Sequence, residues 1–148
     1  MTLRKIISGG QTGADRGGLE GGRDLGLETG GTAPKDYKTE NGSDLSLKEF
    51  GLEESAIADY RLRTAVNIIN SGGTVIFGNA NSSGCRLTKK LAELHRKPLA
   101  INPTVTELRQ FVSRYKIEVL NVAGNRESRN FGICKSVRDK IVKAFGEK

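Results

Sequence analysis

The sequence predicts an α/β fold, a three-layer sandwich with helices on both faces of a mainly parallel sheet of five strands or slightly more. Three observations predict it. Short apolar runs alternate with amphipathic helical patterns along the 148-residue chain. Those runs lack the period-2 alternation of a sheet with one wet face, so both faces are expected to be covered. Glycine-rich or small polar stretches follow three of the runs, where a parallel sheet of the Rossmann-like kind turns from strand into helix.

Leu3 to Ser8 reads as the first strand, broken by Gly9-Gly10-Gln11-Thr12-Gly13. A helix from Ala14 to Leu25 follows and stops at Gly26. Within it Gly17, Gly18, Gly21 and Gly22 each cost ~1 kcal/mol relative to Ala. Either close packing on the sheet or room for a ligand accounts for so many. A second strand lies near Glu28 to Thr32. From Ala33 to Glu54 periodicity is lost, and Pro34 and Asn41-Gly42 mark a long loop with a few ordered turns, a candidate lid. A helix begins around Asp59, with Leu62, Val66 and Ile69 on one face, and stops at Ser71-Gly72-Gly73. Thr74 to Phe77 is a buried strand, and Leu87, Leu91 and Leu94 mark the next helix. Pro98 to Ile101 is a strand, Val105, Leu108 and Val112 lie on a helix, and Glu118 to Ala123 is the last strand. The final helix carries Ile133, Val137 and Ile141. Residues 1–148 read as a single Rossmann-like ligand-binding domain, without internal repeat.

Composition narrows the function classes. Hydrophobic residues make up 36% and charged residues 28%, a globular mixture. No apolar run approaches the ~20 residues that cross a bilayer, and the start has no signal-peptide core, so a cytoplasmic protein with no membrane partner is expected. Cys85 and Cys134 lie far apart without C-x-x-C spacing, which points to neither zinc nor a disulfide framework. The net charge of +7 favours anionic ligands. Lys135, Arg138, Lys140, Lys143 and Lys148 are spaced like the solvated face of a helix. Aromatics are only 5%, which argues against a nucleic-acid platform.

Ligands of such sheets bind beyond the carboxyl ends of the strands, which selects residues 8 to 16, 78 to 88 and 124 to 132. In the first loop, Gly9, Gly10 and Gly13 let backbone N–H groups approach an anion. Gln11 and Thr12 add donors, and Arg16 can supply a charge-assisted bond. The spacing is neither G-x-G-x-x-G nor a Walker loop. A turn needed only for packing is the alternative, and Asp15 is open between capping and pairing with Arg16. In the second loop, Asn79 precedes Ser82, Ser83 and Gly84 at a helix start, where a serine cap and a bound anion compete as explanations. Cys85 there is either a packing residue or a thiol with a lowered pKa. In the third loop, Gly124, Asn125, Arg126, Glu127 and Ser128 gather before a helix starting near Asn130. Arg126 reaches the ligand, and Glu127 either accepts from a sugar or pterin edge or holds Arg126. His95, the only histidine, reads as surface or structural. The arginines of Tyr60-Arg-Leu-Arg-Thr64 face ligand or solvent, and periodicity does not decide which.

Ile7-Ser-Gly-Gly-Gln-Thr-Gly-Ala-Asp-Arg16, Tyr60-Arg-Leu-Arg-Thr-Ala-Val-Asn67 and Val122-Ala-Gly-Asn-Arg-Glu-Ser128 with Gly132-Ile133 together resemble the molybdenum carrier family. These are the molybdenum-cofactor carrier proteins of the wider Lonely-guy and DprA-like Rossmann superfamily. The resemblance implies a homo-oligomeric carrier, a tetramer, that binds the molybdenum cofactor, protects it and delivers it to molybdoenzymes. That cargo is a phosphate-bearing pyranopterin whose dithiolene holds the metal, so neither a protein metal ligand nor a catalytic residue is implied. The first two loops suit its phosphate and the third its polar edges. Lonely-guy phosphoribohydrolases carry P-G-G-x-G-T-x-x-E, whereas Ser82-Ser-Gly-Cys-Arg-Leu-Thr-Lys-Lys90 lacks the Pro, the Gly pair and the Glu. It also lacks the Gly-Gly-Thr expected of the carriers. The alternative is a sensor or hydrolase of a nucleotide or nucleotide derivative, with Asp15 or Glu127 as general acid–base.

Overall fold

The structure, a computed structural model, describes residues 2–146. In chain order it contains β1 (Lys5–Ile7), α1 (Ala14–Asp24), β2 (Glu28–Ala33), β3 (Lys38–Thr39), β4 (Gly42–Ser43), β5 (Leu52–Glu54) and α2 (Tyr60–Ile69). It continues through β6 (Gly73–Phe77), α3 (Ser83–Leu94), β7 (Leu99–Ile101), α4 (Val105–Arg114), β8 (Val119–Gly124) and α5 (Ile133–Phe145). Six strands form one sheet in the order β5-β2-β1-β8-β6-β7, with every neighbouring pair parallel. The expected α/β sandwich is therefore present.

β6 is buried along its whole length, as its unbroken apolar run requires of a central parallel strand. Val75, Phe77, Leu120 and Val122 join Val137 and Ile141 of α5 in the main core. The glycines of α1 belong to this packing. A Cβ on Gly18 would lie 2.7 Å from Val122 Cβ, and one on Gly22 3.1 Å from Thr29 Cγ2, while Gly17 and Gly21 face Cys134 and Ile141 of α5. Close approach of backbones, rather than space for a ligand, explains the four.

The segment from 33 to 54 departs from the expected loop. It contains the edge strand β5, the β3–β4 hairpin and a 3-10 turn at Leu45–Lys48. Tyr37, Leu47, Phe50 and Leu52 bury against Leu19 of α1 and Ala33, forming a small second core. Its apolar residues follow no helical or strand period because they converge from turns, which is why the pattern was invisible. A packed segment of this kind is no free lid.

The basic face of α5 is engaged locally. Lys135 pairs with Asp139 at 2.8 Å, Arg138 with Asp24 at 2.6 Å and Glu20 at 3.1 Å, and Lys140 donates to Pro103 O. Lys148 lies outside the described residues.

Candidate functional site

β1, β8 and β6 are adjacent in the sheet, so their three following loops open side by side at one end. A cavity of about 560 Å³ lies there, closed laterally by α2 and the start of α3. Gly9, Gln11, Asn79, Ser82, Ser83, Gly84, Gly124, Asn125 and Arg126 line it, so the structure brings nine of the expected site residues to one place.

The second and third loops are joined by one side chain. Asn125 Oδ1 accepts from Asn79 N at 2.6 Å, and Asn125 Nδ2 donates to Asn79 O at 3.1 Å. Ser82 is the N-cap of α3, accepting from Cys85 N at 3.3 Å. The first-turn amides of Ser83 and Gly84 remain at the cavity wall without an intrahelical acceptor, the arrangement that favours an anion. Cys85 is buried, and burial pushes its thiol up rather than down. Of the two readings, the packing residue is the one present.

The first loop turns its donors inward. Gly10 N donates to Ser8 Oγ, Gln11 N to Asp15 Oδ2, Thr12 N to Gln11 Oε1 and Ala14 N to Asn125 O. The side of Gly10 open to a Cβ faces Leu47 and Leu52, away from the cavity. Gly13, at φ +82, allows the first loop to lie against Asn125–Glu127, where a Cβ would come within 2.7 Å of the backbone. Arg16 pairs with Glu20 at 2.9 Å and Asp44 at 3.2 Å, and so ties α1 to the 33–54 segment. Thr12 and Ser128 donate their hydroxyls to Glu40 at the β3–β4 turn, and Ser128 N donates to the same carboxylate at 3.2 Å. Those hydrogen bonds hold the Glu40 carboxyl below its ordinary range, the Ser128 hydroxyl contributing most. Glu127 neither holds Arg126 nor faces the cavity. It accepts from Gly132 N at 2.6 Å and Cys134 N at 3.1 Å, capping α5, which begins at Ile133 rather than near Asn130.

α2 settles the ambiguity its sequence left open. Arg63 is only 8% exposed and lines the cavity, with Tyr60, Thr64 and Asn67 on the same side. Asn67 accepts from Thr32 N at 2.8 Å and donates to Thr32 O at 3.1 Å, fastening the helix to the end of β2. Leu62 and Ile69 instead face outward, 44% and 46% exposed. Among the described residues no carboxylate forms an ion pair with Arg63. A guanidinium removed from water without such a partner is costly unless an anion or a dipolar group meets it. Its ring neighbour is Tyr60, 4.8 Å from the guanidinium carbon to the ring centroid.

Asp15 faces the same cavity from the first turn of α1. Burial raises its carboxyl from 3.8 to about 6, against the opposing pull of the Gln11 and Gly9 amides, Arg63 and Arg126. A Cβ at Gly9 would overlap the Arg63 guanidinium and lie 3.1 Å from Asp15 Oδ2, so the missing side chain is what lets the two charged groups flank one point. Among the described residues no group of three His, Cys, Asp or Glu side chains is placed to hold a metal ion. No helix among them is long and apolar enough to cross a membrane. Thr88, Asn121 and Arg129 also line the cavity. The polar i, i+3, i+4, i+7 stripe at Tyr60, Arg63, Thr64 and Asn67 was the available signal for the α2 contribution.

Comparison with known proteins agrees with the resemblance read from the motifs. A crystal structure from Syntrophus aciditrophicus SB, described as a "Putative molybdenum carrier protein", superposes with a TM-score of 0.87 at 30% identity, covering 99% of this chain and 96% of that one. No curated protein matches the chain. The sequence profile of the circularly permutated YpsA SLOG family matches residues 6–145, and the chain belongs to that family.

Proposed function

We propose that this protein binds, protects and delivers the molybdenum cofactor as a non-catalytic carrier. The observation that carries this reading is Arg63, a buried cation without an ion-pair partner among the described residues, aimed into a cavity large enough for a fused-ring ligand. Ser83 and Gly84 at the start of α3, with Arg126 and Arg129 in the same cavity lining, offer donors for a terminal phosphate. The Syntrophus protein described as a molybdenum carrier supports the choice of cargo. Sequestration needs affinity without a nucleophile–base pair, and the cavity's one thiol is kept protonated by burial. Delivery to molybdoenzymes in the cytoplasm, from a homotetramer, belongs to the same reading. The exposed Leu62 and Ile69 of α2 support assembly with further copies of the chain.

Anaerobic incubation of the purified protein with molybdenum cofactor, followed by desalting, tests the proposal. Co-elution of molybdenum and pterin in equal amounts, transferable to a cofactor-free molybdoenzyme, is expected. Retention of neither overturns it. Asp15 favours a second reading, a sensor or hydrolase of nucleotide derivatives, because a carboxyl near 6 suits general acid–base work. Hydrolysis of nucleoside monophosphates that is lost in Asp15→Asn while binding persists would identify that activity.

A further inference from the structure

We infer that Asp15 and Arg63 together read a 2-amino-4-oxopyrimidine edge, the hydrogen-bonding face shared by pterins and guanine. The inference rests on the cavity being the ligand site and assigns the end of the ligand opposite its phosphate. The two side chains come from different elements, α1 and α2, and meet at the space Gly9 leaves open. Among the described residues no ion pair joins them, although the Arg63 charge pulls the Asp15 carboxyl down against its burial. A carboxylate offers about four lone-pair sites. Asp15 spends one on Gln11 N at 3.1 Å and another on the Gly9 amide, which leaves about two for a ligand. Arg63 donates none of its side-chain N–H groups to a protein acceptor among the described residues, beyond its stacking near Tyr60.

The order of these groups selects the ligand. An edge that fits them presents an acceptor to Arg63 and two neighbouring donors to Asp15. A 2-amino-4-oxopyrimidine has that sequence: the ring carbonyl accepts from the guanidinium, and the adjacent ring N–H and exocyclic amine donate to the carboxylate. Adenine presents an exocyclic donor next to a ring acceptor, which would set a lone pair against Asp15 and leave polar groups unpaired. The other amides of the cavity are less free to read this edge. Asn67 is committed at both ends to Thr32, Asn125 bridges Asn79, and Asn121 donates to Thr74 Oγ1 at 3.2 Å.

The charged and titratable groups facing Asp15 are Arg63 and Tyr60 from α2, Cys85 from α3 and Arg126 beyond β8. Protonation of Asp15 would remove acceptor capacity, so recognition of the edge weakens as pH falls below about 6.

Isothermal titration of the full chain at pH 7.5 with GMP, IMP, AMP and a metal-free pterin monophosphate tests the inference. GMP and the pterin are expected to bind at least about tenfold more tightly than AMP, with IMP, which lacks the exocyclic amine, between them. Asp15→Asn should bring the GMP:AMP ratio close to one. That ratio is insensitive to partial unfolding, and thermal melts run in parallel measure folding itself. Equal binding of GMP and AMP, a ratio unchanged in Asp15→Asn, or no binding of any of the four compounds overturns the inference. The tighter of GMP and the pterin identifies which source of the edge the site prefers. Selectivity without retained molybdenum would remove the carrier reading and keep this one. Retained molybdenum with an unaltered ratio would do the reverse.

Discussion

Asp15 Oδ2 accepts the Gln11 backbone N–H at 3.1 Å, so the glycine-rich first loop closes on a carboxylate of its own chain. A loop built to approach an anion here has an internal one. The ligand-facing product is a carboxyl raised to about 6 beside Arg63, and the amides left for an anion under the proposed function are those at the start of α3.

The pH dependence of stability follows from that acid. Its folded value of about 6 lies above the 3.8 of an exposed Asp, so the folded state binds the proton more tightly. Stability attributable to Asp15 is fully present below about 4, falls as pH rises to about 6, and is level above. The span is worth roughly 3 kcal/mol at ~1.4 kcal/mol per pKa unit. Urea denaturation at intervals from pH 4 to pH 7 should show this decline in the wild type and its loss in Asp15→Asn. Parallel curves for the two proteins would refute it.

Arg63→Met should separate binding from folding. Arg63 is 8% exposed and has no ion-pair partner among the described residues, so an apolar side chain of similar length relieves desolvation and leaves the melting temperature equal or higher. Loss of a charge-assisted contact should weaken ligand by about 1.5–3 kcal/mol. Calorimetry and thermal melts on one preparation check both halves. A large fall in melting temperature would make Arg63 a structural residue.

Two glycines of the first loop should behave differently. Gly9→Ala presses only on the movable end of Arg63 and on Asp15. It should cost under about 1 kcal/mol of stability while weakening ligand about tenfold. Gly13→Ala places a Cβ against the backbone of Arg126 and Glu127 at φ +82, and should cost about 3 kcal/mol or more. Denaturant titrations that rank the two in the opposite order would contradict the geometry.

The sheet was legible because Val75 to Phe77 and Leu120 to Val122 are buried runs whose period is independent of distant contacts. β5 was not, since Leu52 is the lone buried residue of a three-residue edge strand and owes its place to Phe50 and Leu47. The loops of the site were legible through glycine and position. What each donor does there was not, because Thr12, Arg16, Ser128 and Glu127 are spent on Glu40, Glu20, Asp44 and the start of α5, partners 4 to 88 residues away. On α2 the usual reading of amphipathicity inverts: Leu62 and Ile69 face outward while Arg63 and Asn67 are buried.

That inversion makes assembly testable. Leu62 and Ile69 lie seven residues apart with half-buried Val66 between them, an apolar stripe on the outer side of α2. If the proposed oligomer forms through this stripe, the double variant Leu62→Glu, Ile69→Lys should sediment as a folded monomer where the wild type sediments as the larger species. An unchanged sedimentation coefficient would assign assembly to another face.

Glu40 decides which donors are left free for the proposed ligand's phosphate. Its carboxylate takes the Thr12 hydroxyl and both the N–H and hydroxyl of Ser128, binding the β3–β4 turn across the first and third loops. Glu40 N donates in turn to Gln11 Oε1 at 2.9 Å. Glu40→Ala should therefore speed amide exchange across residues 38–43 while the core of the 33–54 segment, held by Leu47, Phe50 and Leu52, stays protected. If Ser83 and Gly84 hold the phosphate, ligand affinity in Glu40→Ala stays within about twofold of wild type, because that helix end is untouched. A rise of about tenfold would mean that the carboxylate had been competing for Thr12 and Ser128, and would move the phosphate from the start of α3 to the junction of the first and third loops.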